Sequence, residues 1–331
     1  MSVRSIVIVA FPGVQPLDVV GPHEVFAGAN AALDGGRSCR DRDRTDRRPY
    51  RIEVVSADGA NVVTESGLQL GTSPLPVNED PIDTLLLPGG TGVTMARFDG
   101  PLISWVQKAA SRSRRIATVC SGTFLAAQAG LLDGRTVTTH WARAAQLAAD
   151  YPAITVDPDP IYRHDGNIWS SAGVTAGIDL SLALVDADHG AEVSQTVARW
   201  LVMFMHRPGG QTQFATATWT PRAERSHVRR IQQRIDDEPG ADHSVSALAA
   251  VAAMSPRHFT RVFTDEVGVS PGRYVERVRI EAARRLLETS NDTLDIVAQR
   301  CGFGTAETLR RSFHRGIGVA PDHYRQRFRR N

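Results

Sequence analysis

The sequence predicts a two-domain chain: an α/β domain built on a mostly parallel sheet, then an all-α domain with two helix-turn-helix units. Three observations carry this. Apolar strand runs alternate with helical stretches over roughly the first 200 residues, the pattern of a sheet covered by helices. The last third repeats itself. The charge is unevenly divided: from residue 222 onward there are 20 Arg against 14 acids, a balance of +6, while the rest of the chain stands at −4. A basic end beside an acidic one fits nucleic-acid binding confined to one domain. At 331 residues the chain also exceeds one ordinary core.

Residues 5–10 (SIVIVA), 51–56 (RIEVVS), 84–87 (TLLL) and 116–119 (IATV) read as buried strands, with helices over 17–31, 101–111 and 122–129 between them. That alternation calls for a mostly parallel sheet covered on both faces. Residues 136–140 (TVTTH), 154–156 and 167–171 read as further strands, and 177–189 and 192–205 as closing helices. The first domain is thus predicted over 1–205, a linker over 206–221 and the second domain over 222–331. Residues 34–49 form a charge run without periodicity, expected to be a mobile surface loop. No apolar run reaches the ~18–20 residues of a membrane helix, and residues 1–13 are too short and strand-like for a signal peptide. Three cysteines (Cys39, Cys120, Cys301) with no CxxC point to a reducing cytoplasm, and nothing calls for a metal or cofactor.

In the last third, ALAAVAAM (247–254) lies over IVAQRCGF (296–303). After one extra residue, Gly304, SPRHFTRVFTDEVGVSPGRY (255–274) lies over TAETLRRSFHRGIGVAPDHY (305–324). Each copy reads as a short apolar helix, a tight turn and an Arg-rich amphipathic helix, placing helix-turn-helix units over 244–265 and 293–315. Ser255 and Thr305 stand at N-cap positions, with Pro256 at the first helical position. Val228, Ile231 and Ile235 mark one face of an opening helix over 223–236. A connecting helix over 276–288, with its preceding turn, spans about 25 Å at 1.5 Å per residue; successive major grooves lie ~34 Å apart. Arg257, Thr260 and Arg261 in the first unit, and Glu307, Arg310, Arg311 and His314 in the second, fall on outward faces. An Arg fork suits guanine O6 and N7, and Glu307 suits cytosine N4, so double-stranded DNA is the expected partner.

These residues carry a resemblance. SPRHFTRVF, the connecting helix and CGFGTAETLRRSFHRGIGVAPDHYR resemble the C-terminal domain of AraC/XylS-type transcriptional regulators over residues 223–329. The resemblance implies seven helices, with Arg257, Thr260, Arg261, Glu307, Arg310 and Arg311 facing bases. Ala306 stands where that family often has a polar residue.

Residues 116–141 (IATVCSGTFLAAQAGLLDGRTVTTHW) run a strand into Cys120, Ser121 and Gly122 and then a helix. A nucleophile on such a turn is exposed above the sheet, and the helix N-terminus beneath it is expected to favour the thiolate. Gly89 and Gly90 after strand 84–87 are expected to offer backbone N–H groups to an anion. LDVVGP with EVF, LLLPGG, VCSG and TTHW resemble the ThiJ/PfpI group over residues 4–190. That resemblance implies a flavodoxin-like α/β sandwich in which Asp18 stands beside the Cys120 elbow with His140 near. The pairing of the two domains resembles GlxA-type regulators. It implies a DNA-binding activator that dimerises through its first domain, meets RNA polymerase and is controlled by a small molecule, an amino acid or quaternary amine. The effector would be held by Asp18, Gly89, Gly90, Cys120, Ser121 and His140. Two other readings stay open: a cysteine-dependent hydrolase or hydratase with a DNA-binding appendage, using Cys120, Asp18 and His140, and a redox sensor through Cys120.

Overall fold

A computed structural model describes residues 3–34, 49–77, 80–203, 210, 211, 223 and 226–328. The chain divides into two compact units, Met1–Arg207 and Pro208–Asn331. The core of the charge run (35–48), most of the expected linker and Cys39 lie outside the described residues.

The first unit is a three-layer α/β sandwich. Its strands are β1 (Arg4–Val9), β2 (Tyr50–Ser56), β5 (Ser73–Pro74), β6 (Ile82–Leu87), β7 (Ser113–Val119), β10 (Tyr162–Asp165) and β11 (Ile168–Ser171). They form one sheet in the order β10-β11-β7-β6-β1-β2-β5. Every pairing is parallel except β10 with β11. Ile6, Ile8, Leu85, Leu86 and Leu87 are fully buried, as strands covered on both faces require. Helices α1 (Pro16–Leu33), α6 (Ala176–His189) and α7 (Ala191–Trp200) pack together; α3 (Gly100–Ser111) and α4 (Thr123–Gln128) pack on β6 and β7.

Several elements depart from the expectation. Of TVTTH only β8 (Thr136–Val137) is a strand, paired with β9 (Thr155–Val156) in a separate small sheet. Thr138 and Thr139 are fully buried and turn their hydroxyls to the Pro160 and Cys120 carbonyls, and the Thr138 N–H goes to the Ser170 hydroxyl rather than to a ladder. A hairpin of β3 (Val62–Val63) and β4 (Gln69–Leu70), a short α2 (Val93–Ala96) and α5 (Trp141–Asp150) were not anticipated. The last closing helix stops at Trp200, short of 205.

At the amino-terminal end of the sheet, a buried ion network ties α6 to the strands. Arg115 and Asp188 are 3% and 2% exposed at the side chain and meet at 2.6 Å. Arg114 reaches Asp83 at 2.8 Å and Asp188 at 2.7 Å, and the Tyr50 hydroxyl donates to Asp188 at 2.7 Å. Burial works against the Asp188 charge, but the Arg115 guanidinium and the Tyr50 hydroxyl outweigh it and hold the carboxyl below the usual range. Removing one member of such a set leaves a buried charge uncompensated, at about 3–5 kcal/mol.

Among the described residues the second unit has seven helices: α8 (Ser226–Asp237), α9 (Val245–Val251), α10 (Pro256–Val267), α11 (Pro271–Thr289), α12 (Leu294–Arg300), α13 (Ala306–Ile317) and α14 (Pro321–Phe328). Hydroxyl caps start five of them: Ser244, Ser255, Ser270, Thr293 and Thr305 each accept from an N–H three residues on. Gly268 and Gly318 end the two recognition helices in the left-handed region. Ser270 with Pro271 starts the connecting helix five residues before the expected 276, so α11 has 19 residues, about 28 Å. In each copy a tyrosine ring closes on a phenylalanine, Tyr274 on Phe263 at 5.5 Å and Tyr324 on Phe313 at 5.4 Å.

Candidate effector pocket and DNA-reading helices

The elbow forms where β7 ends. Val119 is extended, Cys120 takes φ +57°, and a single 3-10 turn (Cys120–Gly122) leads into α4. A left-handed, non-glycine residue costs about 1–3 kcal/mol and persists only when its surroundings hold it. Here they do. The Thr139 hydroxyl donates to the Cys120 carbonyl at 2.7 Å and the Thr123 hydroxyl at 3.1 Å. Gly173 closes the side: a Cβ there would lie 2.2 Å from the Cys120 Cβ, so only glycine fits.

Asp18 enters from the first turn of α1 and is fully buried. Gly89 N–H donates to its Oδ2 at 2.9 Å, and Val174 N–H to its Oδ1 at 2.7 Å. The Cys120 thiol is also within hydrogen-bonding reach of this carboxylate. Burial pushes Asp18 up to about 6, against the two backbone donors that hold it down. It is therefore ionised at neutral pH. Its folded value exceeds the unfolded one, so its contribution to stability is full below about 4 and is lost as pH rises through about 6.

The structure overturns two expectations about this edge. First, the thiolate is not favoured. Burial and the Asp18 charge push Cys120 up to about 12, and the Ser121 N–H, which favours the thiolate, is too weak to reverse this. Second, the backbone donors are not free for an external anion. Gly89 N–H is taken by Asp18, Gly90 N–H by the Ser121 hydroxyl at 3.1 Å, and Thr91 N–H by Glu65 at 2.8 Å. The cradle already holds the protein's own carboxylates.

Asp18, Gly89, Gly90, Cys120 and Ser121 are thus brought together at the carboxyl ends of β1, β6 and β7, the edge where open α/β sheets place ligands. His140 joins them only through its neighbour Thr139. Its Nδ1 accepts from Ala142 N–H at 3.2 Å and caps α5, which leaves the ring proton on Nε2. Burial and Arg143 push His140 below its usual value, so it is neutral at physiological pH. Sequence reasoning missed Glu65, Gln15 and Val174. Glu65 hangs from the β3–β4 hairpin and accepts from Gln15 Nε2 at 2.6 Å; its charge reaches both Asp18 and Cys120. Only the GV pair before α6, with Val174 at φ +52°, carried a sequence signal, a turn.

On the DNA side, Arg257, Arg261, Glu307, Arg310 and Arg311 are exposed along α10 and α13, opposite the buried Phe259, Phe263, Leu309 and Phe313. Thr260 is half-buried and its hydroxyl donates to its own helix at Pro256 O, 2.9 Å away. Ala306 is buried, so it packs rather than faces a base. The outward Arg310 lies 3.9 Å from Asp322 of α14, a loose pair.

Paired Arg-rich recognition helices, in one chain with a ligand-type edge on a parallel sheet, define a DNA-binding transcriptional regulator. Residues 4–187 match the DJ-1/PfpI family and residues 248–327 a helix-turn-helix domain. The chain belongs to the DJ-1/PfpI family, with an AraC-type helix-turn-helix domain at its C-terminal end. It is 42% identical over 264 residues to the HTH-type transcriptional regulator Rv1931c of Mycobacterium tuberculosis, covering 75% of this chain and 96% of that one. It is 25% identical over 292 residues to the HTH-type transcriptional regulator GlxA of Rhizobium meliloti, covering 84% and 86%. It is 33% identical over 189 residues to the isonitrile hydratase of Pseudomonas putida, covering 56% of this chain and 73% of the enzyme. The crystal structure of a ThiJ/PfpI family protein from Pseudomonas syringae shares the fold, with a TM-score of 0.53 at 22% identity over 77% of this chain and 92% of that one. No helix among the described residues is long and apolar enough to cross a membrane.

A thiol pushed up this far reacts slowly. In a Cys39→Ser background at about pH 8, Cys120 is expected to alkylate with iodoacetamide at least about a hundredfold more slowly than a free thiol. Asp18→Asn removes a negative charge and should speed labelling. Mass-resolved labelling that finds Cys120 as fast as free cysteine would contradict the buried, protonated thiol.

Proposed function

We propose that the first unit, over residues 1–205, is a sensor that holds a small cationic effector, an amino acid or quaternary amine, at the Cys120 edge. Asp18, Gly89, Gly90, Cys120, Ser121 and His140 surround it, with Glu65 above. One observation carries this reading: the backbone donors at that edge are already satisfied, by the Asp18 and Glu65 carboxylates and the Ser121 hydroxyl. Among the described residues neither carboxylate is paired with an arginine or lysine. The local field is negative and favours an ammonium group over an anion. A protonated Cys120 and a neutral His140 committed to a helix cap support holding a ligand rather than turning it over, so in this reading the chain is not an enzyme. Effector binding shifts the population of two chain arrangements by its differential affinity for them. The favoured arrangement sets two protomers on adjacent half-sites and recruits RNA polymerase, activating transcription.

A thermal-shift panel of amino acids, betaines and related amines is expected to contain a compound that raises the first unit's melting temperature. Glu65→Gln should lose that shift. A panel in which only anions stabilise would overturn the cationic assignment.

Base reading is assigned to Arg257, Thr260, Arg261, Glu307, Arg310 and Arg311. Arg261→Ala and Arg311→Ala should each relax preference at one base pair by about 1–3 kcal/mol, read by competition binding on selected duplexes. Unchanged selectivity in both variants removes these residues from the reading surface.

Dimerisation rests on family resemblance and is placed in the first unit. Sedimentation at micromolar concentration should give a dimer; a monomer would count against the two-protomer arrangement.

A further inference from the structure

The two helix-turn-helix units have separate cores. Val228, Ile231, Ile235, Phe259, Phe263 and Tyr274 belong to the first; Ile280, Leu287, Val297, Leu309, Phe313 and Tyr324 belong to the second. Helix α11 runs through both. That helix, packed into both cores, is the first link between the units. A second, off-axis link exists. Arg279, midway along α11, donates from Nε to the Pro239 carbonyl and from Nη2 to the Ala241 carbonyl, both at 3.0 Å. Those carbonyls lie on the loop that leads into α9 of the first unit. The same loop presses on the second unit: a Cβ on Gly240 would lie 2.5 Å from the Arg300 carbonyl at the end of α12. The Arg279 guanidinium also covers Gly302, the φ +77° residue in the second unit's turn. One planar fork therefore joins the connecting helix, the first unit's loop and the second unit's turn.

We propose that Arg279 is a positioning residue for DNA reading: with Gly240 it fixes the angle between α10 and α13, and so the number of base pairs the protein demands between the two blocks it reads. Arg suits this place and Lys does not, because a rigid fork meets two carbonyls at once and an ammonium on a flexible stem meets one. Inserting one base pair turns the second block by about 34° around the duplex. A locked pair of helices cannot follow that turn, whereas a hinged pair can.

The experiment uses the full chain and a duplex chosen by in vitro selection, with derivatives carrying one base pair inserted or deleted between the blocks, and one with the second block scrambled. The wild-type protein is expected to bind the selected spacing at least about tenfold more tightly than either altered spacing. In Arg279→Ala this ratio should fall below about threefold, with affinity for the single-block duplex unchanged. Arg279→Lys should fall between the two. Gly240→Ala pushes on the junction from the other side and should lower the ratio too; it decides the matter if Arg279→Ala loses its cooperative melting transition. Wild-type spacing ratios in both Arg279→Ala and Gly240→Ala overturn the proposal. So does an Arg279→Ala protein that melts normally yet weakens on every duplex alike, since that marks a phosphate contact. The base-reading assignment fails separately, through Arg261→Ala and Arg311→Ala on the unaltered duplex.

Discussion

One buried carboxylate organises the first unit's functional edge. Asp18 has no exposed surface, and a buried charge must find donors or forfeit its ionisation. It finds them on loops after two different strands: Gly89 after β6 and Val174 after β11. Against it lies the thiol that follows β7. Three chain segments far apart in sequence are thereby held to one point. The two left-handed non-glycine residues of the site, Cys120 and Val174, both lie at that point, where tertiary bonds offset their local strain.

That same constraint sets the protonation of the elbow. An elbow cysteine beside a carboxylate invites the reading of an activated nucleophile. Activation needs a base that can take the thiol proton, or a field that favours the thiolate. Here burial and a neighbouring anion both oppose the thiolate, and the nearby imidazole spends its acceptor nitrogen on a helix cap. The fold is shared with enzymes such as the isonitrile hydratase, but fold does not imply function.

The second unit reaches rigidity by repetition. Each copy uses a hydroxyl N-cap, a pair of inward apolar residues and a tyrosine whose hydroxyl donates to an acid, Tyr274 to Asp236 and Tyr324 to Glu288. The copies differ at the turn. Ala253 occupies the left-handed position in the first, where the second has Gly302. They differ again outward, where Arg257, Thr260 and Arg261 face Glu307, Arg310 and Arg311 across the repeat. The two outward faces are therefore chemically unlike, and on the proposed base-reading assignment the geometry between the halves matters as much as either face.

The sequence by itself determined the parts whose causes are local. Short, near-continuous apolar runs specified β1, β2, β6 and β7, and Ser or Thr before an amphipathic stretch specified the starts of α10 and α13. The fifty-residue repeat specified the tandem reading helices, and the strand–Cys–Ser–Gly–helix run specified the elbow. What only the tertiary structure decided was the state of those groups. Glu65, on a two-residue-strand hairpin, has no periodic signal that places it against the Thr91 N–H. Burial, and after it the charge of a carboxylate about a hundred residues earlier in the chain, push the Cys120 thiol up. TVTTH reads as a strand by propensity, yet its ladder stops at Val137, and the buried Thr139 hydroxyl donates to the strained Cys120 carbonyl instead. Arg279 looks like one more surface arginine on an Arg-rich helix until two carbonyls forty residues earlier are seen in its fork. Propensity and pattern act between neighbours in the chain, whereas burial, field and hydrogen-bond partnership depend on what folding brings close.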